Sequence, residues 1–220
     1  GGQNVAVGHS ALHENTTGGQ NVSVGYFALD GNKTGNLNTA LGYQANVASI
    51  ALNNATALGA NAVVNASNKV RIGNSSVTVI EGQVAYTFPS DGRFKYNIHE
   101  NVKGLEFIKR LRPVTYQFDR EAYSAFIGEQ GLKTKNLANQ NKEEEIIMSG
   151  FIAQEVDKAA REAGFQFDGV MNPKNDKETW SLAYSQFVVP LVKAIQEQQK
   201  EIELLKSELA ELRRQQQDEG

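Results

Sequence analysis

Four short segments near the start of the chain alternate apolar and small residues and end at glycine. They are Val5-Ala6-Val7, Val22-Ser23-Val24, Thr39-Ala40-Leu41 and Thr56-Ala57-Leu58. A period of two predicts brief strands with the small central residue turned inward. The segments recur: GGQNVAVGHSALHENTT (1–17) lies over GGQNVSVGYFALDGNKT (18–34), and Gly8, Gly25, Gly42 and Gly59 fall 17 residues apart. A fixed short period predicts a stacked, solenoid-like architecture. Runs of Asn, Thr and Gly between the segments suit tight corners needing positive φ. One such coil cannot bury its own face, so stacking or association with other chains is required.

Downstream the pattern changes. Val84–Phe88 and Phe94–Ile98 alternate again and predict two strands around a Pro89-Ser90-Asp91-Gly92 turn. Leu105, Ile108 and Leu111 form one helical stripe, ended by Arg112-Pro113. Val114–Phe118 and Ile146–Ile152 read as strands, the second feeding a helix from Ala153. Residues 128–145, with Glu143-Glu144-Glu145, read as a solvated polar excursion. From Val188 the apolar positions fall into heptads, with Val188, Ile195, Ile202 and Leu209 at a, and Leu191, Gln198, Leu205 and Leu212 at d. Glu201 with Lys206, and Glu208 with Arg213, occupy g and e as in a parallel coiled coil. Isoleucine at a with leucine at d leans by itself toward two strands. Around Pro190 the same helix is expected to pack on its own domain.

Composition divides the chain at the same place. Residues 1–80 hold five charges, Glu14, Asp30, Lys33, Lys69 and Arg71, of the 47 in all 220 residues. Two architectures are joined end to end, and the partition read from sequence is 1–80, a connector 81–89, 90–187 and 188–220. With no cysteine, disulfides, thiolate metal sites and cysteine nucleophiles are excluded. Three histidines and a net charge of −3 argue against a histidine-rich metal site and against nucleic acid as partner. No apolar run is long enough to insert in a membrane. No cofactor is expected. The repeat is already under way at Gly1, which suggests a piece of something longer. Six Asn-x-Ser/Thr sequons (Asn15, Asn21, Asn32, Asn54, Asn65, Asn74) follow from composition alone, and His9 and His13 read as exposed turn residues rather than metal ligands.

The repeats, closing with Asn68-Lys69-Val70-Arg71-Ile72-Gly73-Asn74, resemble the head repeats of trimeric autotransporter adhesins over about residues 1–75. That resemblance implies a left-handed parallel β-roll, three of which pack around one axis. The usual repeat there is shorter than 17, so the turns here carry extra residues. The order SDGRFKYNI, a helix, LRPVTYQF, GFIAQEV and a terminal helix resembles the intramolecular chaperone domain of endosialidases and phage tail fibres, found also in myelin regulatory factor. It implies an α+β chaperone domain ending in a long coiled-coil helix. In that family the domain drives trimerisation of the fibre upstream and then cuts itself off, just before a serine in a Ser-Asp-x-Arg-x-Lys pattern. Carried over, the scissile bond is Pro89–Ser90, the nucleophile Ser90 and the base Lys95. Asp91 and Arg93 match the pattern and shape the turn.

The chemistry is self-consistent. A serine hydroxyl needs a base within hydrogen-bond reach, and lysine serves when burial or a nearby cation, here Arg93, makes a neutral amine available. Attack on the carbonyl of the preceding residue is intramolecular and needs no substrate pocket. The expected protein is therefore the C-terminal part of a homotrimeric fibre or adhesin, on a virion tail or a bacterial surface. Its upstream fibre would meet a host receptor or surface glycan. The alternative is a permanent trimer clamp that never cleaves. A membrane-released transcription factor is disfavoured by the neutral upstream repeat.

Overall fold

The computed structural model describes residues 1–129 and 146–218. The Glu143-Glu144-Glu145 run and most of the polar excursion lie outside the described residues. The chain divides into two compact units. One takes in Gly1–Tyr86, the described parts of 117–148, and Pro173–Thr179; the other takes in Thr87–Tyr116, Ser149–Asn172 and the chain from Trp180 onward.

The first unit is built on a parallel β-solenoid of about four turns. Strands β1 (Val5–Val7), β2 (Val22–Val24), β3 (Thr39–Leu41), β5 (Thr56–Leu58) and β7 (Val70–Ile72) stack in the order β1-β2-β3-β5-β7. Their register aligns Val5, Val22, Thr39, Thr56 and Val70. The first four strands keep the 17-residue spacing of the sequence, and the last coil is three residues shorter. A second ladder joins β4 (Asn46–Val47) to β6 (Val63–Val64). Ser23, Ala40 and Ala57 point inward and are fully buried, as the alternation predicts.

The corners depart from expectation. Positive φ falls not only on asparagine and glycine but on Ser10, Leu12, Phe27, Leu29 and Leu37. Leu12 and Leu29 lie in the solenoid core, so packing outweighs the local cost of that backbone. Glycine is obligatory at the ends of the strands. Gly8 has φ +128°, and a Cβ there would lie 2.5 Å from the Gly25 carbonyl oxygen of the next coil.

Buried asparagines hold the coils together. Asn21 N–H donates to Asn4 Oδ1 (2.8 Å), Asn38 N–H to Asn21 Oδ1 (2.9 Å), and Ala55 N–H to Asn38 Oδ1 (2.9 Å). The amide of Asn21 donates to Gly35 O at 2.9 Å and that of Asn38 to Leu52 O at 2.6 Å. Each side chain therefore satisfies backbone groups that a narrow coil cannot pair by itself. Helix α2 (Arg120–Ile127) belongs to this unit. It is capped by Asp119, whose Oδ1 accepts from Ala122 N–H, and it ends at left-handed Gly128. Arg71 of β7 bonds Tyr123 (2.9 Å) and the fully buried Glu129 carboxylate (2.9 Å).

The second unit packs α1 (Leu105–Ile108) and α3 (Ala153–Glu162) around Phe107, Val156, Ala159, Ala160, Ala163 and Phe187. Two short ladders accompany them, β8 (Val114–Tyr116) with β9 (Met148–Gly150), and β10 (Val170–Met171) antiparallel to β11 (Ser181–Leu182). Helix α1 is shorter than the stripe suggests, and the fully buried anchor is Phe107 rather than Leu105, Ile108 or Leu111. Phe165, Phe167 and Phe187 surround it, the last two meeting edge-on at 4.8 Å. β9 is likewise shorter than the Ile146–Ile152 run. The long helix α4 (Val188–Asp218) carries Pro190 in its first turn, where the N–H groups lack helical partners anyway. It buries Pro190 and Ala194 on the unit, and among the described residues none beyond Lys200 is covered.

One expectation fails here. Val84–Phe88 and Phe94–Ile98 form no strands, and a 3-10 turn, Gly92–Phe94, runs into the start of the second segment. A strand needs a neighbour for its N–H and C=O groups, and a single chain supplies none to these segments among the described residues.

Candidate functional site

The 3-10 turn positions the candidate dyad. Asp91 caps it, with Oδ1 accepting from Arg93 N–H at 2.9 Å, and Lys95 N–H closes it on Gly92 O at 3.2 Å. Tightening the chain over these residues brings two side chains five apart into contact. Lys95 Nζ donates to Ser90 Oγ at 2.6 Å. That is the reach a general base needs to take the hydroxyl proton. Both residues are exposed in the single chain.

Asp91 and Arg93 face each other rather than the dyad. The guanidinium meets the carboxylate with both Nε (3.0 Å) and Nη2 (2.6 Å). Hydrogen bonding to Arg93 holds the Asp91 carboxyl below its usual range, and Asp91 raises Arg93 above its own. The Arg93 charge is thus engaged by Asp91, and these two residues fix the turn that presents Ser90.

The remaining sequence candidates are dispersed. His9 stacks on Tyr26 at 5.3 Å, and His13 Nδ1 lies 3.7 Å from Asp30 Oδ1. Among the described residues no group of three or more His, Cys, Asp or Glu side chains is placed to hold a metal ion. Of the sequon asparagines, Asn21, Asn32 and Asn65 are buried and are not open to glycosylation. No helix among the described residues is long and apolar enough to cross a membrane.

The structure also displays residues that the sequence reading passed over. The outward positions of the solenoid strands are apolar, and Val7, Leu41, Leu58 and Ile72 form an exposed stripe in register. The signal was in the alternation itself, since a sheet facing water on one side carries polar residues there. A second exposed stripe runs along α4 through Ile195, Ile202, Leu205, Leu209 and Leu212, its heptad positions all uncovered.

No curated protein and no solved structure matches the chain. Its second part does match a family model, over a segment that begins at the candidate nucleophile. Residues 90–165 match the family described as chaperone of endosialidase, which supports an intramolecular chaperone domain in that segment.

Proposed function

We infer that this chain is the C-terminal part of a homotrimeric, tail-fibre-like or adhesin-like protein on a virion or bacterial surface. Its chaperone domain brings three solenoids into register and then separates from them by one self-cleavage at Pro89–Ser90. The observation that carries the cleavage is the 2.6 Å contact of Lys95 Nζ with Ser90 Oγ at the first residue of the matched segment. Trimerisation is supported by the two uncovered apolar stripes and by a family that acts in trimeric assemblies. Contiguous exposed apolar surface of this kind marks interaction sites.

The chemistry runs within one chain. Neutral Lys95 takes the Ser90 hydroxyl proton as Oγ bonds to the Pro89 carbonyl carbon through a five-membered ring. The C–N bond then breaks, the proton passes to the Ser90 amine, and an ester remains. Water hydrolyses it, leaving a carboxylate on Pro89 and restoring the hydroxyl. Denaturing mass spectrometry of the freshly made chain is the test. Pieces 1–89 and 90–220 are expected; a single mass of 24.1 kDa after long alkaline incubation would refute self-cleavage and leave a permanent trimer clamp.

A further inference from the structure

Lys69 stands out in the solenoid. Residues 1–80 hold five charges, and the other four lie beside side chains of opposite type: Glu14 beside Lys33, Asp30 beside His13, and Arg71 beside Glu129. Lys69 makes its shortest contact with an amide four residues back, its Nζ donating to Asn65 Oδ1 at 3.0 Å. The two residues bracket the corner between β6 and β7. Asn65 is 2 % exposed, its Nδ2 donates to Lys177 O at 2.6 Å, and its backbone oxygen accepts from Asn175 Nδ2 at 3.2 Å. An ammonium only donates and a carbonyl only accepts, so these contacts fix the carboxamide with its oxygen toward Lys69. Glu178 completes the group. Its Oε2 accepts from Lys174 N–H at 2.7 Å, and its Oε1 lies 3.6 Å from Lys69 Nζ, on a side chain only 12 % exposed. All of these residues belong to the first unit.

We propose that Asn65 and Lys69 become joined by an isopeptide bond, formed with loss of ammonia and with Glu178 as the proton shuttle. The amine already rests against the carbonyl it would attack, and the carboxylate is one small swing from the ~2.6–3.2 Å of proton transfer. Glu178 takes a proton from Lys69 Nζ, and the freed lone pair bonds to Asn65 Cγ. The tetrahedral centre then collapses with rupture of the Cγ–Nδ2 bond. Nζ loses two protons in all, one of them by way of Glu178. Both end on the departing nitrogen, which leaves as ammonium, and Glu178 is a carboxylate again. No water, oxidant or other co-reactant enters. Holding an amine and an amide together within one folded corner supplies the effective concentration that an amide otherwise lacks. The bond would lock the corner that leads into β7. It would also stay with the solenoid whatever becomes of the segment that carries Glu178.

Denaturing mass spectrometry of the full chain, followed by trypsin, is the test. The chain should weigh one ammonia less than its sequence, and trypsin should no longer cut after Lys69, whose amine is acylated. The peptide Thr34–Arg71 should then appear whole, with fragmentation absent between Asn65 and Lys69. The full sequence mass overturns the bond. So does loss of ammonia with normal cutting after Lys69, which would mark a succinimide at Asn65. Lys69→Arg keeps the charge without the amine, and Glu178→Gln keeps the shape but cannot carry the proton. Both should hold the full sequence mass with the far-UV circular dichroism of the solenoid unchanged. Loss of ammonia in Lys69→Arg overturns the bond, and loss at the wild-type rate in Glu178→Gln overturns the role of Glu178 as shuttle. The inference does not rest on self-cleavage: the ammonia is missing from the whole chain if it stays whole, and from piece 1–89 alone if it splits.

Discussion

At the scale of single residues, the dyad makes sharp demands. On the self-cleavage reading, Ser90→Ala removes the nucleophile and should abolish the split seen by intact mass while leaving assembly intact, since an exposed turn loses little by the change. Lys95→Arg keeps the charge but cannot offer a neutral amine, so cleavage should fall by at least about 100-fold, the contribution of a positioned base. Acid acts on a different pair. Arg112 holds Glu155 with contacts of 2.5 and 3.0 Å, and that hydrogen bonding keeps the carboxyl below its usual 4.5. A depressed carboxyl stabilises the fold above its unfolded value, and the contribution is lost as pH falls through the lowered one. Urea midpoints of wild type and Glu155→Gln should therefore differ near neutrality and converge as the pH falls through the lowered carboxyl range.

Individual elements show how much the sequence discloses. Spacing of glycines alone locates β1, β2, β3 and β5 to the residue, because a solenoid repeats its local physics at each coil. The Ser90–Lys95 pair is legible only through the resemblance to the endosialidase chaperone, since the local pattern by itself reads as two strands around a turn. Helix α2 was missed although Asp119 and Gly128 are ordinary start and stop signals; its low apolar content hides it. Phe107 was missed because a four-residue helix is too short for a stripe to show which residue its neighbours enclose. The buried asparagines were read as corner residues because composition cannot tell an inward Asn from an outward one. Their role is measurable. Asn21→Ala strips Asn38 N–H of its acceptor and leaves Gly35 O with the Asn32 amide alone, and a buried group left unpaired costs about 1–3 kcal/mol. The urea midpoint of the solenoid should drop accordingly, and a change within error would mean that water replaces the side chain. Gly104 gives a similar test in the second unit. A Cβ there would meet Ala194 N at 2.7 Å and Lys193 C at 2.8 Å, so Gly104→Ala should push α1 off α4 and lower stability by about 1–3 kcal/mol.

For the whole molecule the governing fact is that each unit carries apolar surface it cannot cover. The solenoid interior is filled mainly by alanines with a few larger residues such as Leu29 and Val64, so burial within one chain gives limited stabilisation against the ordering of its corners. Covering the outward stripe in a trimer adds what the thin core lacks, but it requires three chains to meet in register. That is a slow, non-local problem when the chains are free. On the proposed function, α4 would convert it to a local one, because three joined helices would hold the solenoids at high effective concentration. Sedimentation equilibrium should accordingly give three chains; a dimer would agree with the Ile-at-a, Leu-at-d preference and would place the solenoid stripe in a two-fold contact instead. Ile202→Asp with Leu205→Asp places charge in the seam without touching Pro190 or Ala194, where α4 packs on its own unit. Those changes should give monomers in which the solenoid melts at lower temperature and over a broader range. Removing residues 195–220 should do the same and more severely, since Glu197, which accepts from Leu105 N–H at 2.8 Å, goes with them. If the truncated chain still forms a β-rich trimer with a sharp melt, the solenoid finds its own register, and α4 is not what assembles it.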